Sequence, residues 1–291
     1  MNLRKLKIFL ETANCLNMSQ VARNLYISQP SVSQAIYELE ESVGVKLFDR
    51  IGKKLYLTYE GKVFYQYVRR ILNLYIEGTE AIKNSKEGHK GKISIGASTT
   101  IGTYILPEYI KKFYENYKEI DISLIIENTS IIEKLIMENK VDFAFVEGNI
   151  SFKEIIPEPI WKDELIFICS NEHKLSKLEY VTFEQLQEEK LIMREEGSGT
   201  RKIIESYLIG LGFKYNVDME LGNTEAILRV VESGLGISCV PFKCAKERIN
   251  NGSLKKININ DISIFRDLYF IYHKDKLISP NMKLFVDFIK E

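Results

Sequence analysis

The chain is poor in the residues that carry covalent and metal chemistry. Its four cysteines, Cys15, Cys169, Cys239 and Cys244, form no CxxC pair and lie near no histidine cluster. That spacing argues against a zinc site or a disulfide framework and for buried, reduced thiols, with a redox-sensing pair as the alternative. Three histidines, His89, His173 and His273, are present, and none is an evident base for Ser198, the serine a hydrolase reading would cite within Gly197-Ser198-Gly199. There is no Walker loop, no GxGxxG behind a strand and no HExxH. An enzyme is not expected, and no catalytic residue, metal site or cofactor is assigned. Long apolar runs are missing too. The N-terminal stretch MNLRKLKIFLETANCLN is broken by charge every few residues, so neither a signal peptide nor a membrane span is expected and the cytoplasm is the expected compartment.

Net charge is also absent, with 40 basic and 40 acidic residues. The balance hides an asymmetry. Residues 1–90 carry 14 Lys and Arg against 9 Asp and Glu, whereas the rest carries 26 against 31. Only the first segment has the sign suited to a nucleic-acid partner. A length of 291 residues with 45% hydrophobic and 27% charged residues fits a globular chain of two units.

In the first segment, Leu3, Leu6, Phe9, Leu10 and Ala13 recur at helical spacing. Ser19 offers an N-cap for a short helix with Val21, Ala22 and Leu25 inward. Ser28 can cap a third helix with Pro30 in its first turn and an apolar stripe of Val32, Ala35, Ile36, Leu39 and Val43. A short helix, a tight turn and a longer helix make a helix-turn-helix. At about 100° per residue, Pro30, Ser33, Gln34 and Tyr37 fall opposite the core. That face is uncharged, and Glu38, Glu40 and Glu41 lie only in the C-terminal half, so the N-terminal half suits a major groove, with Gln29 and Gln34 as base readers. An ordinary amphipathic helix with a solvated face fits this helix equally well. Two short strands around Ile51-Gly52-Lys53-Lys54 then form a hairpin whose Arg50, Lys53 and Lys54 would grip phosphate, or simply be solvated.

The run SQPSVSQAIYELEESVGVKLFDR, followed by GKKLYLT and Glu60-Gly61, resembles the DNA-binding signature of LysR-type transcriptional regulators over nearly all of residues 2–61. The resemblance implies a winged helix-turn-helix whose DNA contacts fall on Gln29, Pro30, Ser31, Ser33 and Gln34, with Arg50 and Lys53 on the backbone. Tyr37 and Lys54 are added from their positions. Lys53 stands where the family often has arginine, which keeps the charge but loses the bidentate fork.

From Thr58 onward Phe64, Tyr67, Ile71, Leu74, Gly78 and Ala81 alternate by three and four like a coiled-coil seam. A partner subunit's helix would cover them, as the resemblance implies, or the chain's own next domain would. Asn84 to Gly91 is polar and aperiodic, a hinge.

Beyond it, strands and helices alternate: KISIGA, a helix over Tyr104 to Tyr117, ISLIIE, a helix over Ile131 to Glu138, and VDFAFVE. A second alternation runs from the apolar stretch Leu165 to Cys169 through GISCVP. Ser98-Thr99-Thr100, Gly197 to Thr200 and Asn223-Thr224 each place hydroxyls where a strand meets a helix. They are good N-caps and equally good anion seats. GASTTIGTYILP, MREEGSGTR and GNTEAILRVVESGLGISCVP are similar to LysR-type effector domains, especially of the sulfur-assimilation and carbon-fixation regulators. The expected fold is α/β with an α-rich N-terminal domain. It comprises a winged helix-turn-helix (1–58), a linker helix and hinge (59–90), and a two-lobed domain like periplasmic binding proteins of type II (91–291), with lobes near 91–162 plus 268–291 and 163–267. Effector contacts are assigned to Ser98, Thr99, Thr100, Ser130, Glu147, Ser198, Thr200 and Thr224. Glu147 favours an amino-bearing or hydroxylated ligand unless Arg194 or Arg201 neutralises it, so anionic and amino-acid-like effectors both stay open. The expected partners are double-stranded DNA, a small-molecule effector and other copies of the chain, as dimer or tetramer, and the resemblance implies activation. A transport protein would explain the two lobes but not the winged helix.

Overall fold

A computed structural model describes residues 2–52, 54–84, 90–212, 215–259 and 263–290, without the side chains of 77 and 80–84. The chain divides into two compact units, 1–88 and 89–291. No helix of the described residues is long and apolar enough to cross a membrane.

In the first unit, α1 (Leu3–Cys15), α2 (Met18–Asn24) and α3 (Gln29–Val43) precede a hairpin of β1 (Phe48–Ile51) and β2 (Lys54–Leu57), and α4 (Tyr59–Asn84) follows. The Ser28 hydroxyl accepts from the Ser31 amide to cap α3. The α2 cap is not Ser19: Asn17 accepts from the Ser19 and Gln20 amides, because α2 begins two residues earlier than a Ser19 cap implies and an Asx side chain reaches two amides at once. Phe9, Val21, Val32, Leu39, Leu47 and Val68 are buried together. Phe64, expected on an intersubunit seam, instead packs into this core with its ring centroid 5.2 Å from that of Phe9. Glu40, in the C-terminal half of α3, is buried. It accepts from the Leu47 and Phe48 amides at 2.9 and 3.2 Å and from Lys46 Nζ at 2.6 Å, tying α3 to the hairpin. Cys15, expected to be buried, is exposed at the end of α1.

The second unit is two α/β lobes sharing one sheet of order β4-β3-β5-β11-β6-β9-β7-β8, with β10 also pairing β6. The strands are β3 (Gly91–Ser98), β4 (Ile120–Glu127), β5 (Phe143–Glu147), β6 (Ile155–Ser170), β7 (Leu191–Arg194), β8 (Val217–Leu221), β9 (Ile237–Pro241), β10 (Leu254–Ile257) and β11 (Ile264–His273). The helices are α5 (Thr99–Tyr104), α6 (Leu106–Asn116), α7 (Thr129–Met137), α8 (Phe183–Gln187), α9 (Gly199–Gly210), α10 (Thr224–Glu232), α11 (Phe242–Asn250) and α12 (Pro280–Lys290). The helix expected over 104–117 is α6, starting two residues later with Pro107 in its first turn, and a separate short helix, α5, precedes it and ends at Tyr104. The apolar run at 165–169 is only the end of a 16-residue strand, β6. Its first part pairs with β11 in the lobe holding Phe143, Phe145 and Phe285; its last part pairs with β9 in the lobe holding Phe167, Met193 and Ile204. Thus β6 and β11 are the two strands that cross between lobes.

Candidate nucleic-acid interface and effector cleft

On the first unit, Gln29, Pro30, Ser31, Ser33, Gln34 and Tyr37 are all exposed along α3, while Val32, Ala35 and Ile36 between them are buried. The 3.6-residue period thus separates a packed stripe from an uncharged polar face. Gln34 Nε2 donates to Glu38 Oε1 at 2.9 Å, and Lys5 Nζ lies 2.6 Å from Glu38 Oε2. These contacts hold the Glu38 carboxyl below the usual carboxylate range, Lys5 contributing most. A groove of about 560 Å³ opens between α1 and this part of α3, lined among others by Lys5, Pro30, Ser31 and Gln34. In the hairpin, Arg50 and Lys54 are exposed on either side of a turn in which Gly52 takes φ +62°, the left-handed conformation glycine allows. Lys53 lies outside the described residues. On α4, Tyr67, Ile71 and Leu74 are exposed and Gly78 is half-buried, whereas the side chain of Ala81 lies outside the described residues.

On the second unit, the junctions rich in hydroxyls meet at one place. Glu147, ending β5, is buried, and its two carboxylate oxygens accept from opposite lobes: one from Ser98 Oγ, the other from Thr200 Oγ1 at 3.0 Å. Thr129 Oγ1, at the start of α7, donates to the Glu147 carbonyl at 3.2 Å. A Cβ at Gly199 would collide with that same carbonyl oxygen, so glycine is what lets the α9 N-terminus reach it. Across the cleft, the Ser130 amide donates to the Gly197 carbonyl at 3.3 Å.

Sequence reasoning offered Arg194 and Arg201 as counter-charges for Glu147; the structure corrects this. Arg194 is bidentate with Glu195, at 2.7 and 2.9 Å, and reaches Thr224 Oγ1 at 3.2 Å and Thr99 Oγ1 at 3.4 Å. Arg201 is taken by Glu205 and Glu220. The guanidinium beside Glu147 is that of Arg266 on β11, 3.8 Å away, which also donates to Thr200 Oγ1 at 2.7 Å and is held by Asp163 on β6. Neither Arg266 nor Asp163 was picked from the sequence. A signal was there: in IFRDLYFIYH the inward positions of an alternating strand are Ile, Arg, Leu and Phe, and an arginine at an inward position needs a buried partner.

Ser98, Thr100, Glu147, Ser198, Thr200 and Thr224 are therefore all buried at the facing ends of the lobes, with Thr99 and Ser130 half-buried. The Thr100 hydroxyl is buried with no hydrogen-bond acceptor or donor opposite it among the described residues. Ser198 serves as the α9 N-cap, accepting from the Arg201 amide. His173 and His273 are mostly buried, and His173 Nε2 lies 3.3 Å from Glu189.

Comparison with known proteins settles the family. Residues 3–62 match the bacterial regulatory helix-turn-helix proteins of the lysR family, and residues 86–291 match the LysR substrate binding domain. The chain belongs to the LysR family. It is a DNA-binding transcriptional regulator with an effector-binding domain, not an enzyme. The uncharacterized HTH-type transcriptional regulator YeiE of Escherichia coli (strain K12) is 35% identical over 286 residues, spanning 98% of this chain and 96% of YeiE. The HTH-type transcriptional activator CmpR of Synechocystis sp. is 32% identical, over 99% of this chain and 94% of CmpR. The regulatory domain of Synechocystis PCC6803 CcmR, solved in complex with 2-PG, is 25% identical with a TM-score of 0.64, covering 69% of this chain and 96% of that one. Within the LysR family, a winged head and a two-lobed domain are thus the two working parts.

Proposed function

We propose that this regulator reads its operator with the N-terminal half of α3 and answers to a small acid bound where the lobes meet. Residues 1–58 act as the DNA-binding head, 59–90 as pairing helix and hinge, and 91–291 as the effector domain. Gln29, Pro30, Ser31, Ser33, Gln34 and Tyr37 face base edges, while Arg50, Lys53 and Lys54 grip phosphate. The exposed Tyr67, Ile71 and Leu74, with the small Gly78 and Ala81 beyond, form the surface on which a second copy pairs. The named activator CmpR supports an activating role and, with the whole chain aligned, a shared architecture.

The observation that carries the effector assignment is Glu147, a buried carboxylate accepting hydroxyl donors from both lobes. The starts of α7, α9 and α10 and the Arg266 guanidinium make this a seat suited to negative charge. A carboxylate or oxyanion of an effector can take over the Ser98, Thr99, Thr200 and Thr224 hydroxyls and satisfy Thr100, with Ser130 and Ser198 at the rim. That the regulatory domain of CcmR was solved in complex with 2-PG supports a small-molecule effector on this domain. A second reading, an ammonium group paired with Glu147, is favoured by Glu195 and Asp163 already occupying the neighbouring guanidinium groups.

Glu147→Gln separates the two. Thermal shift of the full chain with a panel of small carboxylic acids, sulfur oxyanions and amino acids should show acids stabilising the variant more than the wild type. Tighter binding of amines by wild type, abolished in the variant, reverses the assignment. For the head, binding to DNA upstream of its own gene is measured against scrambled DNA over a salt series. Gln29→Ala should narrow the gap between the two DNAs; Lys54→Ala should weaken both and lower the salt slope by about one. Identical behaviour of the two variants would contradict the assigned orientation of α3.

A further inference from the structure

Tyr26 sits where local energetics and packing both disfavour it. Helix α2 closes with a pair of backbone bonds, Tyr26 N–H to the Arg23 carbonyl at 3.2 Å and Ile27 N–H to the Ala22 carbonyl at 3.0 Å. This is a Schellman ending, and Tyr26 is its left-handed residue, at φ +51°, a place that helices usually give to glycine or asparagine because a Cβ is penalised there. Leu25 and Ile27 on either side pack against the core of the head. They fix the turn and leave the tyrosine ring outside, 96% exposed, the most exposed large apolar side chain described. Among the described residues the other non-glycine positions at positive φ are Leu16, which is 41% exposed, and Asn139, a type that tolerates the region. Among the described residues packing offers Tyr26 nothing in compensation, and its ring is open to a partner.

Its position says what that is. Ser28, two residues on, caps α3, and Gln29, Pro30 and Ser31 follow on the exposed face. When a recognition helix enters the major groove by its N-terminal end, the turn before it lies beside the sugar-phosphate strand bordering that groove. We propose that Tyr26 is a DNA-backbone contact whose phenol Oη donates a hydrogen bond to a phosphate oxygen next to the bases read by α3. The proposal rests on the reading of α3 given above. A neutral phenol displaces no condensed cation, so its contribution differs in kind from that of Arg50 or Lys54. It adds affinity without adding to the salt dependence and without choosing a sequence.

The test uses the full chain with its upstream DNA and a scrambled duplex over a salt series, comparing Tyr26→Gly, Tyr26→Phe, Lys54→Ala and Gln29→Ala. Tyr26→Gly should raise the melting temperature by a few degrees while weakening both DNAs by about three- to tenfold at an unchanged salt slope. Tyr26→Phe should lose a similar factor with no change in melting temperature. If both Tyr26 variants bind like wild type while Lys54→Ala flattens the slope and Gln29→Ala narrows the gap, the contact is overturned and the reading by α3 stands. A loss confined to the upstream DNA also overturns it, since a phosphate contact carries no sequence information. If Lys54→Ala and Gln29→Ala are silent as well, the docking itself is wrong and the contact falls with it.

Discussion

Arg266 and Asp163 face each other on the two strands that cross between the lobes, with Nε and Nη2 of the guanidinium 2.9 and 2.7 Å from one carboxylate oxygen. Both side chains are almost wholly buried, at 1% and 4% exposure. The remaining nitrogen, Nη1, donates to Thr200 on the second lobe and lies 3.8 Å from Glu147 on the first. The crossing strands and the effector seat are thus one polar network. A change at the seat reaches the crossing point through a single side chain.

That relationship predicts an asymmetry. Arg266→Met leaves the Asp163 carboxyl buried without its guanidinium partner, a loss of about 3–5 kcal/mol, whereas replacing both by apolar residues of similar size costs far less or nothing. Urea unfolding of Arg266→Met, Asp163→Leu and the double variant should show a strongly positive coupling. Additive losses would mean that the two residues are held separately.

Much of this arrangement could be read from the sequence, and the exceptions share a cause. The caps at Ser28 and Asn223, the stripe of α3 and the three hydroxyl-rich junctions are local patterns, and local patterns survive in one dimension. The crossing strand β6 was missed in its first part because Pro157 and Pro159 break a strand pattern. Both tolerate the strand because it pairs with β11 alone over this stretch among the described residues. Phe64 was misplaced for another reason. It sits at a position whose period fits an intersubunit face, and only the packing of α1 turns it inward. Arg266 comes to the seat from more than a hundred residues beyond Glu147, a distance that no motif spans.

Glu40 gives a prediction for the head. Its carboxylate serves the Leu47 and Phe48 amides at the start of the hairpin, and Glu40→Ala leaves those buried donors unsatisfied at a cost of about 1–3 kcal/mol. The hairpin carrying Arg50 and Lys54 should lose its fixed placement. DNA affinity should fall for specific and scrambled duplexes alike, and thermal unfolding of the head should shift downward. Glu40→Gln, which still accepts, should recover most of both losses. A Glu40→Ala variant with wild-type DNA affinity would show that the hairpin needs no such anchor.

The thiols divide sharply. Burial raises the Cys169 thiol to about 11 and pushes Cys239 and Cys244 higher still, so these carry almost no thiolate at neutral pH. Cys15 is exposed. Titration of the native chain with a disulfide reagent should therefore release one equivalent quickly, and the remainder only after unfolding in urea. Rapid modification of Cys239 or Cys244 in the folded state would expose an opening motion of the second lobe.

Glu225 supplies a pH dependence whose sign can be worked out. At the start of α10 it accepts from Arg248 Nη2 at 2.8 Å, from Arg229 Nε at 2.9 Å and from the Tyr104 hydroxyl of α5 at 3.1 Å, so it joins the two lobes. Arg248 and then Arg229 pull its carboxyl down to about 2 from the usual 4.5. A depressed folded-state value means that the stabilisation is fully present above the unfolded value and is lost as pH falls through the folded one. The melting-temperature advantage of wild type over Glu225→Gln should hence be constant from pH 8 to pH 5 and shrink steadily below about 4.5. Because the side chain is 40% exposed, the advantage should also weaken with added salt. Tyr104→Phe, which removes the bond between lobes but keeps both arginines, should retain that pH profile at a lower melting temperature. If instead its profile matches that of Glu225→Gln, the carboxylate is held by the tyrosine and not by the guanidinium groups.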